Sequence, residues 1–155
     1  MLRPVKLKSI PGRADSGRSQ RYVLEEQVGF LMRVATQRHA AIFMSGMVDG
    51  LTPPQFCALA KLLDVGPCSQ NHLGRLIYLD AATIKGVIDR LRVRRLVTSQ
   101  SDPKDKRRRS VALTETGRRV AEAAVAVAGQ ITAKTLAPLT QEEQRTIVRL
   151  LKKLG

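Results

Sequence analysis

Apolar residues recur at helical spacing along most of this chain, and the polar breaks between those runs divide it into elements. Leu24, Val28, Leu31, Ala35 and Ile42, with Gln27, Phe30 and Val34 beside them, predict a helix from Arg21 to about Met47. Gly46 and Gly50 punctuate its end. Leu51-Thr52-Pro53-Pro54 then reads as a helix start, with Thr52 as N-cap and proline in the first turn. This helix should run to about Asp64, bury Phe56, Leu59, Leu62 and Leu63, and stop at Gly66-Pro67. Ser69 is placed to cap a short helix that buries Leu73, Leu76 and Ile77. Asp80 is placed to cap the next, whose inward stripe is Ile84, Val87, Ile88 and Leu91. The opposite face carries Ala82, Thr83, Lys85, Gly86, Asp89 and Arg90, polar and small enough at its start for close approach to a groove.

The period changes after Arg95. Leu96 to Ser101 and Ser110 to Leu113 read as strands, joined by Asp102-Pro103-Lys104-Asp105-Lys106-Arg107-Arg108-Arg109, in which five of eight residues are basic. Pro103 and Asp105 are turn formers. Thr116 to about Ala137 predicts a long Ala/Val-rich helix closed by Pro138. Thr140 and Glu143 predict a capping box before a last helix carrying Ile147, Val148, Leu150, Leu151 and Leu154. Two short helices followed by a basic hairpin have the shape of a winged helix-turn-helix, which sets one helix in a DNA groove with the hairpin beside it. The expected fold class is mainly α with a small β-hairpin wing. Residues 1–20, rich in Pro, Gly, Ser, Arg and Lys, read as a flexible basic arm; 21–50 as an N-terminal dimerisation helix; 51–114 as the reader; and 115–155 as C-terminal dimerisation helices.

Composition sharpens this picture. Twenty-seven basic against 13 acidic residues give a net charge of +14, which favours a polyanionic partner. The stretch from Arg75 to Arg109 holds eleven basic residues and four acidic ones, so half of the net charge sits in the reader. Aromatic residues make up 3% and there is no Trp, so the core must be aliphatic. Cys57 and Cys68 are too few and too far apart for a zinc site. No apolar run approaches a membrane span and no signal core is evident, so a cytoplasmic location is expected. The chain has no paired catalytic carboxylates, Gly-x-Ser-x-Gly, phosphate loop or metal-ligand cluster. Neither an enzymatic activity nor a cofactor is expected.

From Leu24 to Leu154 the chain resembles the MarR family of bacterial transcription regulators. The order of elements agrees, and the wing pattern appears as Asp102-Pro103-Lys104-Asp105-Lys106-Arg107 followed by Leu113-Thr114-Glu115-Thr116-Gly117. Two positions depart from the family pattern. Lys104 stands for an arginine, losing bidentate geometry. Arg95 stands where a glycine is usual, which would cost about 1 kcal/mol if the position is left-handed. Glu26-Gln27-Val28-Gly29-Phe30-Leu31, Gln37-Arg38-His39 and Ala82-Thr83-Ile84-Lys85-Gly86 further resemble a branch that regulates breakdown of nicotinate and other aromatic acids.

A dimeric repressor on double-stranded DNA is the function these features imply. Thr83, Lys85 and Arg90 are candidates for base edges, with Ala82 and Gly86 leaving room for close approach. Ser69, Gln70, Asn71 and Arg75 are candidates for phosphate. From the tip, Arg107 would enter the minor groove, oriented by Asp105, with Lys104, Lys106 and Arg108 beside it. Excess apolar surface on the first and last two helices implies a two-fold dimer and a palindromic operator.

The resemblance also implies a small anionic aromatic effector, for which Arg38, His39, Lys61 and His72 are the candidate contacts. Two alternatives are a redox-responsive regulator and a sequence-neutral architectural DNA binder. In the first, Cys57 is expected buried and inert, and Cys68 is the candidate for a lowered thiol pKa.

Overall fold

The computed structural model describes residues 21–101 and 109–155. Six helices and one hairpin follow in the predicted order: α1 (Val28–Gly46), α2 (Pro53–Val65), α3 (Gln70–Leu76), α4 (Ala81–Val93), β1 (Val97–Ser101), β2 (Arg109–Leu113), α5 (Glu115–Leu136) and α6 (Gln141–Leu154). Short 3-10 turns occupy Leu24–Glu26 and Val48–Gly50. The arm at residues 1–20 and the hairpin tip from Asp102 to Arg108 lie outside the described residues.

The first helix starts later than its periodicity predicts. Gln27 is extended (φ −81°, ψ 130°), its backbone N–H closes a turn on Leu24 O, and its side-chain amide donates to Val23 O at 2.9 Å. These local bonds replace the first helical turn, and α1 begins at Val28. Tertiary packing reaches only its C-terminal part. Phe43 is its one buried residue, whereas Leu24, Val28, Leu31 and Val34 stay exposed because no other element among the described residues covers them.

The core lies where α2, α4 and α5 meet. Leu51, Leu59, Leu62, Leu73, Ile84, Ile88 and Leu91 are almost fully buried, joined by Phe43, Met47, Ala121, Ala124 and Ile131. Phe43 and Phe56 meet edge-on at 5.9 Å between ring centroids, tying α1 to α2. Burying one such leucine is worth about 1.5–3 kcal/mol, so this aliphatic set is what holds the recognition unit together. The caps follow the sequence. Thr52 and Gln55 form a capping box, Ser69 Oγ accepts from His72 N at 3.2 Å, and Asp80 Oδ1 accepts from Thr83 N at 2.9 Å. Thr140 and Glu143 form the second capping box.

Both helices of the helix-turn-helix end the same way. Leu79 N–H bonds Gly74 O at 2.9 Å with Tyr78 at φ 57°, and Leu96 N–H bonds Leu91 O at 2.9 Å with Arg95 at φ 57°. These are left-handed caps that normally take glycine. Arg95 is therefore left-handed, which is the case in which replacing the family's glycine carries a cost. Tyr78, a second such position, shows no sign in the sequence.

The hairpin is antiparallel, with Val97 opposite Leu113 and Ser101 opposite Arg109. Cys68 adds a third, single-residue bridge to Val111, with N···O distances of 2.8 and 3.2 Å, anchoring the wing to the α2–α3 connection. At its other end the wing passes into α5 through a close contact. Thr114 N donates to Leu96 O at 3.1 Å and Thr114 Oγ1 donates to Arg95 O at 2.7 Å. A Cβ on Gly117 would lie 1.8 Å from Leu96 O, so only glycine fits there.

Candidate nucleic-acid interface and effector cavity

The outer face of α4 is exposed at Ala82, Thr83, Lys85 and Arg90. Its side chains are held along the helix rather than splayed. Thr83 Oγ1 donates to Asp80 Oδ2 at 2.7 Å, so the threonine hydroxyl keeps only acceptor capacity for a base. That hydroxyl bond, followed by the Thr83 backbone N–H, holds the Asp80 carboxyl below the usual carboxylate range. Lys85 Nζ and Arg92 Nη1 both pair with Asp89, at 2.8 and 2.9 Å, and the Lys85 hydrogen bond is the main reason the Asp89 carboxyl is also lowered. These pairs are exposed, hence weak, and can yield to a phosphate or base.

Arg90 folds toward Gly86, where a Cβ would sit 3.7 Å from its Nη1. Glycine at this position leaves room for the guanidinium to lie close to the helix. Ser69, Asn71 and Arg75 are exposed at the approach to α4, and Gln70 is half-buried. Arg94 does not point free: its Nη2 donates to Asp49 O at 2.7 Å, fastening the end of α4 to the turn after α1. Lys104, Asp105, Lys106, Arg107 and Arg108 lie outside the described residues.

The four candidate effector contacts are not brought together. Lys61 pairs with Asp64 at 2.8 Å on α2. His72 is exposed on α3, its Nδ1 3.5 Å from Arg75 Nη2. Arg38 reaches across to α5, where its guanidinium donates to the carbonyls of Lys134 and Thr135, two of the acceptors a helix leaves unpaired at its C-terminus. Of the four, His39 lines a cavity among the described residues. That cavity, about 220 Å³, lies between α1, α2 and α5. Phe43, Met47, Phe56, Ile131 and Thr132 form much of its wall. Its size and apolar lining fit a single substituted ring. Sequence reasoning found His39 but not this lining, because its members come from three separate helices and read individually as core.

A larger groove of about 800 Å³ runs along α6 and is lined by Arg145, Arg149, Lys152 and Lys153 beside Leu136 and Val148. It is a shallow face rather than an enclosure. None of the α6 residues is buried, and Leu150, Leu151 and Leu154 are exposed.

The cysteines differ from expectation. Cys57 is exposed at the rim of the cavity, not buried, because α2 turns that side away from the core; its thiol pKa is nevertheless raised, chiefly by packing around the sulfur. Cys68 is half-buried, and burial raises its thiol pKa too instead of lowering it. No cation among the described residues offsets desolvation at either sulfur, so burial there disfavours the thiolate. Among the described residues no cluster of His, Cys, Asp or Glu could hold a metal ion, and no helix is long and apolar enough to cross a membrane.

A capped helix-turn-helix with a flanking antiparallel hairpin and a cationic outer face defines a winged-helix DNA-binding protein. Comparison with known proteins fixes the family. A model described as MarR family matches residues 49–108. The HTH-type transcriptional repressor NicR of Pseudomonas putida is 42% identical over 134 residues, covering 86% of this chain and 85% of that protein. A probable transcriptional regulator from Pseudomonas aeruginosa is 49% identical with a TM-score of 0.82, covering 86% of this chain and 100% of that one. BpsR of Bordetella bronchiseptica, whose DNA binding is described as regulated by 6-hydroxynicotinic acid, is 43% identical with a TM-score of 0.79, covering 86% and 96%. The chain belongs to the MarR family of transcriptional regulators, and these relatives support its likeness to the nicotinate branch.

Proposed function

We propose that this protein is a dimeric repressor that holds a palindromic operator through α4 and the wing, and releases it when a small aromatic carboxylate enters the cavity between α1, α2 and α5. The observation that carries the reading is the position of that cavity. It joins α2, which packs on the recognition helix, to α1 and α5, which extend away from the reader. A molecule wedged there changes how the reader sits on the long helices, and so the spacing of two recognition helices across a dimer.

In this reading the exposed apolar faces of α1 and α6 are covered by a second copy. Lys85 and Arg90 read base edges, Ala82, Thr83 and Gly86 admit the helix to the groove, and Ser69, Gln70, Asn71 and Arg75 hold phosphate. Lys104, Asp105, Lys106, Arg107 and Arg108 supply the wing's contribution to the minor groove. His39 meets the ring of the effector. Its carboxylate draws Arg38 away from the carbonyls of Lys134 and Thr135, which couples binding to the end of α5. The protein acts on cytoplasmic DNA and carries no catalytic activity. Kinship to NicR, a repressor, and to BpsR, regulated by 6-hydroxynicotinic acid, supports both the direction of control and the effector class.

The test is binding of the full chain to DNA flanking its own gene, at several salt concentrations, with and without a panel of aromatic carboxylates. Tight binding to one palindrome, weakened by salt and released by one acid, is the expected result. Equal affinity for unrelated DNA would replace this reading with an architectural one. Specific binding that no acid alters would remove the effector role of the cavity.

A further inference from the structure

Thr135 stands behind His39, and counting its protons decides what the imidazole offers the cavity. Thr135 Oγ1 lies 2.9 Å from Ile131 O and 2.9 Å from His39 Nδ1. A threonine hydroxyl has one hydrogen. In a helix a threonine hydroxyl characteristically donates back to the carbonyl four residues earlier, and here that acceptor is Ile131 O, one turn back along α5. With the hydrogen so placed, the contact with His39 runs the other way, Nδ1–H donating to Thr135 Oγ1. A neutral imidazole carries one N–H, so Nε2 is left with its lone pair. Nε2 makes no hydrogen bond among the described residues, and His39 lines the cavity.

We infer that Thr135 acts as a positioning residue that fixes His39 as the Nδ1–H tautomer, so that the cavity presents an acceptor, Nε2, and selects aromatic acids bearing a hydrogen-bond donor such as a hydroxyl or a lactam N–H. A ring with a bare nitrogen or a halogen at the same place would set lone pair against lone pair, losing a hydrogen bond and leaving Nε2 desolvated. The rest of the wall is mostly apolar, formed by Phe43, Met47, Phe56 and Ile131, with the Thr132 hydroxyl and the Cys57 thiol as its other polar side chains. This rests on the proposed effector role of the cavity, and narrows the effector from aromatic carboxylates in general to those carrying a donor.

Two measurements on the full-length protein test it. The first needs no effector. Nitrogen-15 NMR of the imidazoles, above the usual histidine titration range of about pH 6.5, reports the tautomer directly, with His72→Gln used to assign the two histidines. An Nδ1–H pattern for His39, turning to mixed tautomers in Thr135→Val and retained in Thr135→Ser, is expected. An Nε2–H pattern in the unaltered protein overturns the inference.

The second compares matched probes by calorimetry: 4-hydroxybenzoate against 4-fluorobenzoate, and 6-hydroxynicotinate against 6-fluoronicotinate. The donor-bearing member of a binding pair should bind at least ten-fold more tightly. Thr135→Val should bring that ratio toward one, and Thr135→Ser should preserve it. A purely structural Thr135 would weaken both members equally and leave the ratio unchanged, which would refute the positioning role. If no acid of either pair binds, the effector role of the cavity falls and the selectivity claim with it. If both members of a pair bind with equal affinity, the effector role survives and only the selectivity claim fails.

Discussion

Replacing Gly117 with alanine sets two known effects against each other, and the geometry says which prevails. In a helix interior, glycine to alanine is worth up to about 1 kcal/mol in favour of alanine. Gly117 is the third residue of α5, and its Cβ would fall 1.8 Å from Leu96 O. An acceptable contact requires more than 1 Å of retreat by a backbone atom. Such a retreat would break or stretch Thr114 N–H to Leu96 O and Thr114 Oγ1–H to Arg95 O, now 3.1 and 2.7 Å. Each bond is worth about 0.5–1.5 kcal/mol, and overpacking against backbone adds about 1–3 kcal/mol.

The expected net result for Gly117→Ala is a loss of about 2–4 kcal/mol, or roughly 5–10 °C in melting temperature for a chain of this size. Gly129 lies in the same helix with nothing within 4 Å of its would-be Cβ, so Gly129→Ala should be neutral or stabilising by up to about 1 kcal/mol. Both are read by urea and thermal unfolding monitored by circular dichroism, at one fixed protein concentration so that the proposed self-association contributes equally to every variant. Gly117→Ala unfolding within 0.5 kcal/mol of the unaltered protein, on the same roughly ±0.5 kcal/mol scale as a benign surface change, would refute the argument that the wing-to-α5 contact admits only glycine.

Other outcomes follow from the same structure. Tyr78→Gly and Arg95→Gly should each raise stability by about 0.5–1 kcal/mol in the same unfolding assay, because both side chains stand in the left-handed region at φ 57°; a loss at either site would mean that its side chain makes a compensating contact. Raised thiol pKa values at Cys57 and Cys68 predict slow reaction with thiol reagents at neutral pH, accelerating only in strongly alkaline solution, and operator release by peroxide at pH 7 would contradict this. Asp80, Asp89 and Glu143 all have carboxyl pKa values below the ordinary range in the folded protein. Their contribution is therefore complete above the ordinary carboxylate pKa of about 4 and is lost as pH falls through the lowered folded values. Helix content followed from pH 7 to 2 should hold until below about pH 4, and a transition centred near pH 6 would show that these carboxylates do not govern it.

The sequence by itself determined the order of elements, the caps and the class of surface. Ser69, Asp80 and Thr140 cap where they were expected because N-capping is a local bond between a side chain and a backbone N–H three residues on, and Thr52 takes its expected N-cap position with its own N–H donating to Gln55 Oε1. The inward stripe of α4 was legible because Ile84, Val87, Ile88 and Leu91 repeat at the helical period, and the basic character of the reader because charge is additive. Tertiary structure alone decided the rest.

Leu24, Val28 and Leu31 read as the apolar stripe of a dimerisation helix and are exposed in the single chain, since periodicity shows that a face is apolar but not what covers it. Tyr78 took a glycine's conformation because the bond from Leu79 to Gly74 set its backbone against its own preference. The cavity beside His39 is built from α1, α2 and α5, residues distant in the chain that only packing brings together. Arg38 and His39, adjacent in sequence, were separated in role by the end of α5: one caps its carbonyls, the other meets Thr135. No one-dimensional pattern records that division, because the partner of each lies 96 or 97 residues away.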